Sequence, residues 1–297
     1  MEIRNLRYFL TAAREENISR AAAILHISQP TLSRSIKTLE DELGKKLFTR
    51  KSFSIELTDE GMLLRKRAAD LIEMADKIAA EFQDIDNVTG GTIAFGLAES
   101  FQLHHLARVI KKFSLDCKDF HYNVTSGDTE QVTEKLDKGI LDFAVLVEPP
   151  NKMKYDFLML PETDKWGLIM REDDALAQKE NITFDDLKGL PLFISEQSYE
   201  RDLPRWCGER RSELTIQGFF RLAYNASIFT REGLGYLLAL ENIVEISEKS
   251  QLAFRYLSPT LENPLYLIWR KNSVFTPIAE RFLAAMRDYC ENFPVIE

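Results

Sequence analysis

Two apolar stripes at helical spacing, joined by a three-residue turn, constrain this chain most: ISRAAAILHISQPTLSRSIKTLEDELGKKLFTR, residues 18–50. Ala21, Ala22 and Leu25 give a short amphipathic helix, and His26-Ile27-Ser28 the turn. Leu32, Ile36, Leu39 and Leu43 then recur at spacings of four, three and four, the period of a second helix with one buried face. The opposite face carries Gln29, Thr31, Ser33, Arg34 and Lys37. Such a helix suits the DNA major groove, where Gln pairs with adenine, Arg with guanine, and Pro30 can touch a thymine methyl. Lys37 is better placed to clamp phosphate.

The flanking residues complete a module over 1–58. Leu6, Phe9, Leu10 and Ala13 mark a first helix, Ser19 can cap the second, and Ser28 the third, with Pro30 in its first turn and Gly44 as its stop. LFTRKSFSIELT reads as a β-hairpin with Phe48, Ile55 and Leu57 turned inward. Its tip, Arg50-Lys51-Ser52, forms a basic wing placed for a phosphate or the minor groove. The chain's net charge of -9 looks wrong for a DNA binder, yet residues 1–58 hold ten Lys/Arg against seven Asp/Glu. A basic module on an acidic body focuses attraction for phosphate at one end.

Thr58 caps the next helix, with Asp59 and Glu60 at its positive end. Leu64, Ala68, Leu71, Ala75, Ile78, Phe82 and Ile85 alternate spacings of four and three, a heptad seam. Residues 59–89 are therefore expected to form a linker helix that dimerises the chain, a rod of roughly 40 Å. The alternative is a helix packed on its own domain.

After a hinge-like break at Val88-Thr89-Gly90-Gly91, strands and helices alternate. TIAFGLA, HYNVTS and LDFAVLV are strands with helices between them, a βαβαβ unit of a parallel sheet. YDFLML, KWGLIMR, PLFIS, LTIQGFF and PLYLIWR come next as strands, residues 228–240 read as mostly helical, and Thr276 to Cys290 as a final helix. The expected fold is α/β and multidomain. Residues 90–297 should form two lobes, one from about 90–162 and 267–297, the other from about 163–266, with a cleft between. Strand ends at Ser100 and at Ser126 to Thr129 combine hydroxyls with helix starts, which suits an anion. Ser100 and Thr129 serve equally as helix caps.

Three cysteines without a CxxC pair argue against zinc or a disulfide scaffold. Cys207, in RDLPRWCGERR, is the one with a case for a lowered pKa. Neighbouring helical residues point about 100° apart, so His104 and His105 are a poor metal pair, and no metal or cofactor is expected. No apolar run reaches the roughly 18 residues that span a bilayer, and MEIRNLRYFL is not a secretory segment. A cytoplasmic protein with no membrane partner is expected. A sensor without DNA function is disfavoured by residues 1–58. An enzyme is disfavoured because no Walker loop, GxSxG or HExxH is present.

Residues 1–61, with LRYFLTAAREENISRAAAILHISQPTLSRSIKTLEDELGKKLFTR and LTDEG, resemble the LysR-type transcriptional regulators, and GILDFAVL, KGLPLF and REGLGYLL extend the likeness. Asn17 stands where that family often has glycine, and Asn also accepts a left-handed turn. The resemblance implies a winged helix-turn-helix, a dimerising linker helix and a periplasmic-binding-protein-like effector domain. It also implies a homotetramer on an interrupted inverted repeat of double-stranded DNA, with RNA polymerase as a further contact. A small-molecule co-inducer, expected to be a small organic anion, would bind between the lobes. The resemblance places its contacts at Ser100, Phe101, Ser126 and Thr129, faced by Ser195, Glu196, Gln197 and Asn225.

Overall fold

The structure is a computed structural model that describes residues 1–51, 54–84 and 90–293. The chain divides into two compact units, Met1–Gln83 and Asp84–Glu297.

In the first unit, α1 (Ile3–Glu15), α2 (Ile18–Ile24) and α3 (Gln29–Leu43) enclose a core of Leu6, Phe9, Ala21, Ala22, Leu32, Ile36 and Leu39. Strands β1 (Phe48–Arg50) and β2 (Ile55–Leu57) pair antiparallel, Phe48 opposite Leu57, and Phe48 packs its ring 5.3 Å from that of Phe9. Ser28 Oγ accepts from Thr31 N–H at the start of α3, and Gly44 ends it in the left-handed conformation at φ 65°. The start of α2 departs from expectation. Asn17, not Ser19, caps it by accepting from Arg20 N–H, and Asn17 is extended while Glu16 takes the left-handed turn at φ 49°. Capping needs an acceptor on the residue just before the helix, and Ser19 already lies inside it. Leu43 is largely exposed, so the α3 stripe ends at Leu39.

Helix α4 (Asp59–Asp84) starts where Thr58 Oγ1 accepts from Gly61 N–H at 3.0 Å. Gly61 has no room for a side chain, because a Cβ there would sit 2.2 Å from the Leu47 carbonyl oxygen.

The second unit is a long curled sheet carrying helices. Strand β3 (Gly90–Leu97), helix α5 (Leu103–Asp116), β4 (Asp119–Ser126), helix α6 (Thr129–Asp137) and β5 (Phe143–Leu146) form the expected βαβαβ unit, with β3 parallel to both β4 and β5. Strand β6 (Tyr155–Arg171) then runs through both lobes. Lobe II adds β7 (Asn181–Thr183), α7 (Phe184–Leu187), β8 (Leu192–Ser195), α8 (Glu196–Cys207), β9 (Ile216–Phe220), α9 (Ala223–Arg231), β10 (Tyr236–Leu240) and β11 (Leu252–Ser258). Strand β12 (Glu262–Arg270) returns beside β6, and α10 (Pro277–Glu291) packs on lobe I. The sheet order is β4-β3-β5-β12-β6-β10-β8-β9.

Several elements differ from the sequence reading. YDFLML and KWGLIMR are one strand of 17 residues, not two. Pro161 is tolerated because the ladder to β12 slips there, between Pro264 and Tyr266. Residues 228–240 split into the end of α9 and strand β10, with Gly233 left-handed at φ 76° between them. YLLAL is a short apolar run, which periodicity alone cannot assign to helix or strand. Helix α8 and strands β7 and β11 are additions that the sequence pattern does not announce. The lobes have separate cores, one around Phe95, Phe143 and Phe282, the other around Trp166, Leu168 and Leu203.

Candidate functional site

The first unit presents a polar helix face. Gln29, Pro30, Thr31, Arg34 and Lys37 are exposed on α3, Ser33 is half-buried, and the buried Leu32, Ile36 and Leu39 fix the opposite side to the core. Gln29 Nε2 donates to Ser33 Oγ at 3.0 Å, and Ser28 and Thr31 share a hydroxyl bond of 2.7 Å, so the first turn is held in one arrangement. Arg34 and Lys37 make no ion pair among the described residues, which leaves both cations free for an outside partner. In the wing, Arg50 is exposed and Lys51 pairs with Glu56, while Ser52 lies outside the described residues.

Glu40 is a residue that the sequence does not single out. It is buried, and its carboxylate accepts from Leu47 N–H at 2.9 Å, Phe48 N–H at 3.4 Å and Lys46 Nζ at 2.6 Å. It therefore pins the start of the hairpin to α3. Burial pushes its pKa up, but the bonds from Lys46, Leu47 and Phe48 outweigh that and hold the carboxyl below its ordinary range.

The expected seam on α4 divides in two. Ala68 is enclosed by its own unit at 0% exposure and Leu64 packs half-buried on the same core, so the first turns of α4 belong to the domain. Ala68 is thus unavailable to a partner. Leu71, Ile78 and Phe82 are exposed, at 46%, 46% and 71%, and Ala75 is half-buried. Ile85 lies outside the described residues. An exposed apolar stripe of this kind marks an interaction surface.

In the second unit, strands of both lobes end on one cavity of about 680 Å³. Ala98 and Glu99 follow β3, Ser126 ends β4 and Glu148 follows β5, while Ser195, Phe220 and Leu240 end β8, β9 and β10. Ligands bind at such carboxyl ends of parallel strands, in cavities of this size. The lobes touch across it. Gln197 Oε1 accepts from Thr129 N–H and its Nε2 donates to Thr129 Oγ1, both at 3.1 Å. Glu99 Oε2 accepts from Ala223 N–H at 2.9 Å, and Arg201 Nη1 meets Glu148 Oε2 at 2.5 Å.

Of the expected effector residues, Ser126, Thr129, Ser195, Glu196 and Gln197 line this cavity; Ser100, Phe101 and Asn225 do not. Ser100 is buried behind it, donating to Asp164 Oδ2 at 2.6 Å and accepting from Gln102 N–H at 2.9 Å. Phe101 and Asn225 are exposed outside it. Glu99, Glu148, Trp166 and Arg201 are lining residues that sequence reasoning misses. Only the strand C-terminal rule could have flagged Glu99 and Glu148.

The lining carries more acidic than basic side chains. Glu99, Asp128, Glu130, Glu148, Glu196 and Glu200 face only Arg201 and Arg221. At the two expected helix starts, Gln102 N–H is taken by Ser100 Oγ at α5 and Thr129 N–H by Gln197 Oε1 at α6, and Glu99 accepts likewise at the start of α9. Glu148 Oε1 and Trp166 Nε1 are buried without a partner among the described residues, one an acceptor and one a donor.

Cys207 is half-buried and donates to the Leu203 carbonyl. Burial raises its pKa despite Arg210 and Arg211, so the arginine-rich stretch does not activate the thiol. No helix among the described residues is long and apolar enough to cross a membrane.

Comparison with known proteins agrees with both halves. Residues 3–62 match the family model of the bacterial regulatory helix-turn-helix protein, lysR family, and residues 86–291 match that of the LysR substrate binding domain. The Hca operon transcriptional activator HcaR of Escherichia coli is 26% identical over 97% of this chain and 98% of its own. The regulator YtlI of Bacillus subtilis is 30% identical over 79% of this chain and 76% of its own. The structure of CbnR, a LysR family transcriptional regulator, superposes with a TM-score of 0.77 at 20% identity, covering 98% of this chain and 99% of that one. CbnR in complex with its target DNA gives the same score at 21% identity, covering 97% and 100%. With a helix-turn-helix, a two-lobed effector-binding domain and family matches over both, the chain belongs to the LysR family of DNA-binding transcriptional regulators.

Proposed function

We propose that this regulator reads an interrupted inverted repeat through α3 and is switched by a small molecule held between the lobes of its second unit. The carrying observation is the cavity at the strand ends of both lobes, crossed by the Gln197–Thr129 and Glu99–Ala223 bonds. A ligand there competes with these bonds or adds to them, and so changes lobe closure. It must prefer one closure state, since equal affinity for both shifts nothing. The protein works in the cytoplasm as a dimer through the exposed part of α4, and as a tetramer on DNA, and it recruits RNA polymerase by altering the DNA. The modest charge of one module favours this pairing, because two linked modules raise the effective concentration of the second.

The acidic lining supports an effector rich in hydrogen-bond donors, an amine or a zwitterion, in place of a simple organic anion. Glu148 Oε1 would accept its positive end, and Trp166 Nε1 would donate to an acceptor on it. Calorimetric titration with panels of amines, amino acids and organic acids tests this. An amine or amino acid should bind, shift the DNA footprint, and lose most of its affinity in Glu148→Gln. An organic acid without an amino group, bound equally well by Glu148→Gln, would contradict it.

A further inference from the structure

Lobe I carries a second cluster of ligating groups, apart from the cavity residues. His104 and His105 lie in the first turn of α5, and Glu162 lies on β6, two residues before the buried Asp164. The donor atoms of the three side chains lie within 4.8 Å of one another. Glu162 Oε2 is 2.9 Å from His105 Nε2 and 3.6 Å from His104 Nε2. Adjacent helical residues diverge by about 100°, yet these rings converge, with centroids 4.1 Å apart.

The far side of each ring is already engaged. His104 Nδ1 is 3.1 Å from the Phe101 carbonyl oxygen, which can only accept. Nδ1 therefore carries a proton, which leaves Nε2 as the nitrogen that faces Glu162. A cation between them would take this nitrogen and the carboxylate as ligands. His105 Nδ1 is 2.8 Å from Tyr289 Oη on α10, a hydroxyl that can donate or accept as the tautomer requires. Rings oriented by outer oxygen partners are the usual surroundings of metal-bound histidine.

We propose that His104, His105 and Glu162 form a site for a divalent transition-metal ion of the zinc, cobalt and nickel class. Two imidazole nitrogens with one carboxylate select these ions over magnesium and calcium. Ligands at about 2.0–2.1 Å from a tetrahedral ion lie roughly 3.3 Å from one another, so the present spacing needs shifts below about 1 Å. His104 and Glu162 side chains are 24% and 47% exposed, which leaves an open path and a free position for water. Three protein ligands make an exchangeable site, not a locked structural one. Bound metal would tie α5 to β6 just before the strand crosses between lobes.

The test uses the full-length protein freed of metal by chelator and titrated with Zn²⁺ and, in parallel, Co²⁺. His105 is fully buried, so the variants are His104→Ala and Glu162→Gln, at the exposed ligands. One equivalent of Zn²⁺ per chain should bind, with ligand-field bands from Co²⁺ and a raised melting temperature. Each variant should weaken binding by roughly tenfold or more while keeping the wild-type fold by circular dichroism. No stoichiometric binding by wild type overturns the proposal. So does binding that is undiminished in either variant, which would place the ion elsewhere, for example at His26 or His121.

Discussion

Asp164 and Asn263 occupy paired positions on β6 and β12, both fully buried where the strands pass between lobes. Asn263 is held by Asp202, Arg205 and the Val147 carbonyl, whereas Asp164 Oδ1 has no partner among the described residues. Burial raises Asp164 to about 6, against the hydrogen bond from Ser100 and with some help from Glu241. A carboxyl raised in the fold favours the native state while protonated. Its contribution is complete below the unfolded value of 3.8 and is lost as pH rises through about 6. Asp164→Asn should therefore stabilise the effector domain at pH 8, on the order of 2–3 kcal/mol, and leave it little changed at pH 3.5. Thermal melts at the two pH values check this; an equal difference at both would contradict it. On the DNA side, Arg34→Ala should weaken specific binding by about 1–3 kcal/mol and relax one base position, read by competition against substituted sites. The polar face of α3 is legible in the sequence because its residues are close together on one amphipathic helix. Glu40 is not, because its role depends on the wing backbone folding back onto it. Ser100 falls outside the cavity because a strand-end rule names the region but not which way each side chain turns.

Helix α4 shows how a periodicity can be right about the helix and incomplete about its partner. The heptad spacing marks one apolar face, but Ala68 and Leu64 commit that face to their own core before the stripe emerges at Leu71. Substitutions should sort accordingly. Phe82→Glu or Leu71→Glu should shift the protein toward monomer with the helix-turn-helix fold intact, as read by sedimentation and circular dichroism. Ala68→Leu should overpack the domain core and lower its stability by about 1–3 kcal/mol. A monomer from Ala68→Leu and a stable dimer from Phe82→Glu would reverse the assignment. Elements of lobe II are the least legible. Helix α8 has a mostly polar sequence, EQSYERDLPRWC, with Pro204 inside it, and its position comes from tertiary contacts such as Arg205 on Asn263 and Trp206 on the Pro259 carbonyl. Strand β6 reads as two strands in the sequence because Pro161 is a breaker unless the bulge opposite it is known.

At the scale of the molecule, the first unit is built on one main core and each lobe of the second on its own. The alternation of strands and helices makes the two lobes and their cleft readable, since parallel strands need helical crossovers. The charge inside the cleft is not readable, because it depends on which loops meet there. Gln197→Ala removes both bonds to Thr129 and should change lobe closure, seen as altered hydrogen exchange in α6 and α8 without loss of fold; unchanged exchange would count against the latch. The central claim is that α3 reads DNA sequence. Selection of fragments from the genome by purified full-length protein, with titration over 50–200 mM salt and Arg34→Ala alongside, tests it most directly. Enrichment of a few fragments that share an inverted repeat is expected, with steeply salt-dependent binding that Arg34→Ala weakens. Folded wild-type protein that enriches nothing over bulk DNA, or an Arg34→Ala variant that binds the same fragments equally well, would contradict it.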